Sequence, residues 1–302
     1  MNQSNLAPVV LFVYGRPLHT QRTIDALLLN PEAQFTDLIV YSDGAKNNKD
    51  LHSVNQVRDI IKHTIGFKNI QLIAREKNLG LAQNIIDGVT EVNNEYGKVI
   101  VLEDDIVTSP SFLNFMNTSL NKYEKNKNIW HISGWNYPLD DIQNLPETFF
   151  WRTMNCWGWA TWSDRWKYFS KEPEKLINSW SKKDIYHFNL DGKYNFWSQV
   201  TANYSQKINT WAIFWYATIF SHKGLCLNPT QSLVYNTGND GTGENCENND
   251  IYKNNPYTKI IESWPNTVKE NSDVVYKIKL FHEQHRLSYI HRVLNKIKRI
   301  FI

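Results

Sequence analysis

The chain has 302 residues, is 41% hydrophobic and carries a formal net charge of +3. That length can bury a large core, as one big or two fused α/β layers, and the near-balanced charge makes no case for a general nucleic-acid binder. No run of roughly 18 apolar residues occurs, so no transmembrane helix is expected, and the polar Met1–Pro8 start lacks the basic-then-apolar pattern of a signal peptide. The cysteines, Cys156, Cys226 and Cys246, are few and widely spaced, which suits a reducing cytoplasm and offers no zinc pattern.

Val9–Val13 reads as a first strand, followed by a helix over His19–Leu29 with Ile24, Leu27 and Leu28 on one face. Leu38–Tyr41 is a second strand, closed by the turn signal Ser42-Asp43-Gly44. Leu51–Ile65 is helical, with Val54, Val57, Ile61 and Ile65 at helical spacing; Ile70–Ala74 is a third strand; Leu79–Tyr96 is a third helix. Val99–Leu102 is a fourth strand. Strands alternating with helices predict a parallel, right-handed, doubly wound sheet.

The fourth strand runs straight into Glu103, Asp104 and Asp105. Open α/β sheets bind ligands at the carboxyl ends of such strands. Adjacent carboxylates repel unless a cation joins them, and Mg²⁺ or Mn²⁺ takes oxygen ligands and bridges to substrate phosphates. Acids at strand ends also cap helices, and Ser109-Pro110 reads as a helix start. That cap lies beyond Asp105, however, and leaves the acids unexplained. Phe112, Phe115, Met116, Leu120 and Tyr123 then form the core face of the helix.

After Trp130 the texture changes: aromatics rise and loops lengthen. Domain bounds of 1–131, 132–250 and 251–302 follow, the last a helical basic tail. Trp151, Trp157, Trp159, Trp162 and Trp166 crowd one stretch. Trp159, Trp162 and Trp166 fall at helical spacing, which suits a core face. Aromatic faces also stack on sugar rings, so Trp157 and Trp159 are sugar-stacking candidates. Asn236–Asp250 is a polar, Gly-rich loop. From Val274 on, Lys277, Lys279, Arg286, Arg292, Lys296, Lys298 and Arg299 interleave with apolar residues against the single acid Glu283. That pattern fits a basic amphipathic helix on an anionic membrane surface, or equally a helix packed on the domain.

Val10–Pro17, Ile39–Gly44, Ala74–Leu81 and Val101–Asp105 together, in order and spacing, resemble the nucleotide-binding half of GT-A glycosyltransferases. The resemblance is to the N-acetylglucosaminyltransferase I type and to family-2-like bacterial polysaccharide sugar transferases. It covers Pro8 to Glu124 well and extends in part to Cys246. It implies a GT-A α/β fold: a Rossmann-like, mostly parallel nucleotide-binding half fused to a mixed acceptor half. It implies Arg16 near the pyrophosphate, Asp43 on the nucleoside, Arg75, Asn78 and Gly80 closing over the nucleotide, and Asp104 facing ribose or donor sugar. Asp105, with Glu103 beside it, would hold Mn²⁺ or Mg²⁺.

The activity so implied is metal-dependent transfer of a hexosyl or N-acetylhexosaminyl group, with inversion. The donor would be a nucleotide diphosphate sugar, UDP-linked by expectation, and the acceptor a hydroxyl of a glycan or lipid-linked glycan in surface polysaccharide synthesis. Such an enzyme would be cytoplasmic or peripheral on the inner membrane face, with no nucleic-acid partner. An inverting transferase needs a base. The relatives carry an Asp after a Trp in the acceptor half, whereas Thr210–Trp215 here has no acid. Asp240 and Asp164 are the base candidates, with Glu244 and His222 behind them. Two rivals stand beside this reading. A sugar-phosphate nucleotidyltransferase would need a Gly-rich basic loop where Tyr14–Pro17 stands. A non-catalytic carbohydrate-binding protein would use the Trp residues but leave Glu103–Asp105 without a purpose.

Overall fold

The computed structural model describes residues 6–238 and 250–300, with side chains for 6–238 and 251–286. The alternating run forms as the apolar pattern requires. It comprises β1 (Val9–Val13), α1 (Pro17–Leu28), β2 (Asp37–Ser42), α2 (Leu51–His63), β3 (Asn69–Ala74), α3 (Leu81–Tyr96) and β4 (Lys98–Glu103). Every residue of β1 is buried, as a strand covered on both faces must be. Pro17 opens α1, where its missing N–H costs nothing. Val54, Val57 and Ile61 give α2 a buried stripe. β3 is the edge strand and is largely uncovered.

The acids do not lead directly into a helix. A short strand, β5 (Ile106–Thr108), follows them, and α4 (Phe112–Tyr123) begins later than Ser109-Pro110 predicted. Ser109 is used elsewhere: its N–H donates to Leu233 O at 2.8 Å. Then come β6 (Ile129–Ser133), β7 (Thr148–Trp151) and β8 (Trp159–Trp162). The 159/162 spacing that suits a helix is therefore a buried strand, and only Ser163–Trp166 (α5) turns helical. Tertiary pairing on both sides of β8 overrides the spacing. Four helices, α6 (Pro173–Ser179), α7 (Lys182–Phe188), α8 (Trp197–Tyr204) and α9 (Ala212–Ser221), lead to β9 (Leu225–Pro229) and β10 (Val234–Asn236).

One sheet runs through both halves in the order β3-β2-β1-β4-β8-β6-β9-β7. Its first four strands are parallel, β8 is antiparallel to β4 and β6, β6 and β9 are parallel, and β7 is antiparallel to β9. The boundary expected at 131/132 thus falls inside β6, and the core is continuous across it.

The segment from 251 is not a separate tail either. Trp264 stacks on Phe115 at 5.7 Å, and Glu270 pairs with Arg152 at 2.7 Å. The helix α10 (Ser272–Ile300) buries Val274, Val275, Ile278, Phe281 and His282 against the domain. Lys279 Nζ bonds Asp191 at 2.5 Å, which clamps the helix further. Its first part is thus a docked helix, and the side chains of 287–302 lie outside the described residues. No helix among the described residues is long and apolar enough to cross a membrane.

Candidate active site

The order β2-β1-β4 makes the gap between β1 and β4 a topological switch point, since the chain leaves β1 toward one side and returns on the other. Arg16 follows β1, and the acids end β4. Register pairs Phe12 with Glu103, so the two groups face each other across that gap. Arg16 ion-pairs with Asp104 through Nη2, adds Nε to Asp104 Oδ2 at 3.3 Å, and reaches Asp105 Oδ2 from Nη2 at 2.8 Å. Both aspartates are about 95% buried.

The acid loop is fixed from three sides. Thr23 Oγ1 on α1 donates to Asp104 O at 2.9 Å, and Thr237 donates to Asp105 O through both N–H (2.9 Å) and Oγ1 (3.0 Å). The β5–β10 ladder, with Ile106 opposite Asn236, holds Thr237 there. Gly238 then passes so close that a Cβ would sit 2.2 Å from Asp105 Oδ2. Only glycine fits at that distance.

Burial raises the Glu103 carboxyl to about 8, helped by Asp105 and then Asp104, against the opposing pull of Arg16. Burial also raises Asp104, with Arg16 pulling it down. Three adjacent carboxyl groups thus share a single guanidinium. A hard divalent cation is the kind of ion that adjacent carboxyl groups attract. Among the described residues no group of three or more His, Cys, Asp and Glu side chains could hold a metal. The donor set fits a hard cation that takes one or two carboxylates and completes its shell with substrate phosphates and water. Arg16 Nη1 is buried and has no hydrogen-bond partner.

Asp43, Asn78 and Gly80 come together, but in a knot of their own. Asp43 Oδ1 accepts from the N–H groups of Gly44 and Leu79, and Oδ2 accepts from Gly80 N–H, all at 2.9 Å, and from Asn78 Nδ2 at 3.1 Å. A carboxylate has about four acceptor positions, so this one is saturated internally. The expected nucleoside contact gives way to a structural tie between the end of β2 and the entry of α3. Gly80 takes φ +78°, which a side chain would resist. Arg75 is not among the acids: its guanidinium lies over the Tyr41 ring at 5.2 Å and 3.5 Å from Glu91.

Arg58, unnoticed in the sequence, stitches the same strand ends. Its Nε donates to Ser42 Oγ at 3.0 Å and its Nη2 to Arg75 O at 2.7 Å. Nothing in its helical spacing marks it, and the same holds for Thr23 and Thr237.

Two assignments are overturned by position. Asp164 sits at the opposite end of β8, where Ser163 N–H bonds Gly97 O just before β4 begins, and it is neutralised by Lys127 and by Arg165 at 2.6 Å. It cannot serve chemistry at the carboxyl end. Trp159 is 1% exposed and stacked between Trp211 (5.2 Å) and His131 (5.3 Å), so it is core rather than a sugar platform. Trp157, half-buried, meets Trp135 edge to face at 4.7 Å. Asp240 and Glu244 lie outside the described residues. His222 packs on the Trp130 ring at 4.6 Å, away from the acids in the chain order of the sheet.

With this geometry in place, comparison with known proteins is decisive on one point. A family model described as the GNT-I family matches residues 1–184, which contain every element of the switch point. The chain belongs to the GNT-I family. Membership makes this GNT-I-family protein a glycosyltransferase of the nucleotide-sugar type, on the GT-A arrangement of a mostly parallel sheet. No curated protein matches it.

Among solved structures it is similar to the mannosyltransferase PcManGT from Pyrobaculum calidifontis, determined with GDP-Man and Mn²⁺. That pair shows 8% identity over 73% of this chain and 70% of that one, with TM-score 0.39. It is also similar to TarS of S. aureus, with 11% identity over 42% of this chain and TM-score 0.29. The match spans only 21% of TarS.

Proposed function

We propose that this GNT-I-family protein is a metal-dependent, inverting transferase. It takes a hexosyl or N-acetylhexosaminyl group from a nucleotide diphosphate donor, UDP-linked, and passes it to a hydroxyl of a glycan or glycolipid in surface polysaccharide synthesis. The observation that carries the reading is Arg16, paired with Asp104 and Asp105 across the switch point while its Nη1 stays buried and unpaired.

Asp105 is the proposed ligand for Mn²⁺ or Mg²⁺, which when bound would stabilise charge on the departing diphosphate. Glu103 is the proposed second ligand. Asp104, held by Arg16, is the proposed contact for ribose or the donor sugar. Arg16 orients the phosphates through its unpaired nitrogen. Arg75, Asn78 and Gly80 contribute by shaping the loop that Asp43 ties down. Asp240, two residues after the Gly238 that touches Asp105, is the proposed base for the acceptor hydroxyl. The basic composition of the C-terminal segment supports a place at an anionic membrane surface and a lipid-linked acceptor. A chain ending at Arg286 should then lose co-sedimentation with anionic liposomes.

The test is calorimetric titration of UDP and GDP, with and without Mn²⁺, into wild type and Asp105→Ala. UDP binding that requires both Mn²⁺ and Asp105 is the expected result. Binding indifferent to metal would remove the role given to Asp105, and absence of any nucleotide binding would sink the reading.

A further inference from the structure

Asp105 Oδ2 is crowded from two residues. Arg16 Nη2 lies 2.8 Å from it. Gly238 closes on it as well: a Cβ there would stand 2.2 Å from the same oxygen and 3.1 Å from Arg16 Nη1. The side chains of Asp104 and Asp105 are 6% and 8% exposed. Mg²⁺ takes oxygen ligands at about 2.0–2.1 Å in an octahedral shell that keeps several waters. A guanidinium nitrogen 2.8 Å from Oδ2 stands where such a shell would form. The Arg16–Asp105 bond and a divalent cation on Oδ2 therefore exclude each other, by space and by like charge.

The guanidinium is the least tied part of this arrangement. Thr23 holds Asp104 O at 2.9 Å, and Thr237 holds Asp105 O at 2.9 and 3.0 Å. The Arg16 backbone is held too: its O accepts from Thr20 N–H and Thr20 Oγ1, both at 3.0 Å, in the first turn of α1. Among the described residues the guanidinium donates only to Asp104 and Asp105, and the Arg16 side chain is 21% exposed. It can leave the carboxylates by side-chain rotation alone, with none of these backbone bonds broken.

We propose that Arg16 is a displaceable counter-cation. It caps Asp105 in the metal-free protein, yields that oxygen when a divalent cation binds, and turns its freed nitrogens to the diphosphate. The inference rests on the donor-site reading above and goes beyond it in naming how the two ligands of that site are coupled. Arg16 opposes the cation and favours the nucleotide, so its removal acts with opposite signs on the two. A residue that only kept the acids in shape would weaken both when removed. A positive charge acting only through its field would oppose the cation from a distance, and salt would screen it. The coupling is reciprocal: the factor by which UDP tightens Mn²⁺ binding equals the factor by which Mn²⁺ tightens UDP binding.

Electron paramagnetic resonance of free Mn²⁺ would follow metal binding to the full chain, at low and at high salt, and calorimetry would follow UDP in saturating Mn²⁺. The variants are Arg16→Gln, Arg16→Lys, which keeps the charge and loses the fork, and Asp105→Ala. Arg22→Gln, which deletes an exposed charge on the same helix, is the control. Mn²⁺ alone should bind Arg16→Gln about tenfold more tightly than wild type at both salts, with Arg16→Lys between them and Arg22→Gln within about twofold of wild type. UDP in saturating Mn²⁺ should bind Arg16→Gln about tenfold more weakly. Mn²⁺ affinity in Arg16→Gln at or below that of wild type overturns the proposal. So does a gain that vanishes at high salt or is matched by Arg22→Gln, and so does an unchanged UDP affinity. If Arg16→Gln fails to fold, Arg16→Lys decides: tighter Mn²⁺ binding than wild type supports the displacement, and equal or weaker binding overturns it. Wild-type Mn²⁺ affinity in Asp105→Ala would instead strike the donor-site reading itself.

Discussion

Arg16 Nη2 lies 2.8 Å from Asp105 Oδ2, joining the end of the first strand to the end of the fourth. The same nitrogen also pairs with Asp104, so one guanidinium offsets two buried carboxylates. Removing it leaves both uncompensated. Arg16→Ala should lose about 3 kcal/mol of stability, since breaking a buried pair costs more than the pair contributes. Mn²⁺ should restore part of that loss. Thermal melts with and without Mn²⁺ check this: the metal-induced rise in Tm should be larger in Arg16→Ala than in wild type, and absent in Asp105→Ala.

Gly238→Ala places a methyl group where Asp105 Oδ2 already is, at 2.2 Å. Either Asp105 or the 236–238 segment must move. Nucleotide affinity should fall at least tenfold, with a modest stability cost of about 1–2 kcal/mol. Isothermal titration of UDP with Mn²⁺ reads the first effect and urea unfolding the second. Unchanged affinity would mean that Asp105 is not where the diphosphate is held.

Asp43→Ala removes the acceptor of four internal donors, two of them the N–H groups of Leu79 and Gly80. We expect a loss of about 2–4 kcal/mol, the range for unmet buried donors facing a lost carboxylate. Hydrogen exchange should speed up in residues 77–82 ahead of the rest of the sheet. A loss of nucleoside affinity with stability intact would instead return Asp43 to the nucleotide.

Trp159→Ala tests the same distinction for an aromatic residue. Its ring is enclosed by Trp211 and His131, so the change should cost about 3–5 kcal/mol. Urea midpoints measure that loss. Trp157→Ala, at a half-buried position, should cost far less.

Burial lowers His131 to about 3 from its ordinary 6.5. The bond from Trp215 Nε1 to Nδ1 leaves Nε2 carrying the proton, which Asn155 O accepts. Below pH 6.5 the unfolded chain takes up a proton that the folded chain refuses until far lower pH. Stability is therefore complete above 6.5 and declines as pH falls. The decline is about 2 kcal/mol by pH 5 from this residue, at about 1.4 kcal/mol per unit. His282, lowered by burial to about 4, adds a slope of the same sign. Urea unfolding from pH 7.5 to 5 should show the decline, and His131→Gln should flatten it without abolishing it.

The first half of the fold is legible along the chain because its signal is local. Val9–Val13 and Val99–Leu102 are apolar without interruption, and the helices between them carry apolar residues at helical spacing. Those patterns are all that a buried parallel sheet with covering helices demands. The acids at the end of β4 are legible for the same reason, since a strand's end can be read from where its apolar run stops. β8 is not legible, because Trp159 and Trp162 satisfy a helix as well as a strand. Only pairing with β4 on one side and β6 on the other selects the strand.

The chain by itself determined that a doubly wound sheet ends in three carboxylates, and that an arginine follows the first strand. Tertiary structure decided which of these side chains share a site. Asp43 was drawn into a saturated knot by backbone N–H groups 36 and 37 residues away. Asp164 was carried to the wrong end of the sheet by the antiparallel direction of β8. Thr23, Thr237 and Gly238 were brought to the acids by an α1 contact and a strand pairing that no local pattern encodes. Periodicity along a chain reports which face a residue presents. It does not report which distant residue meets that face, because the meeting depends on strand order and direction, and these are settled by packing of the whole core.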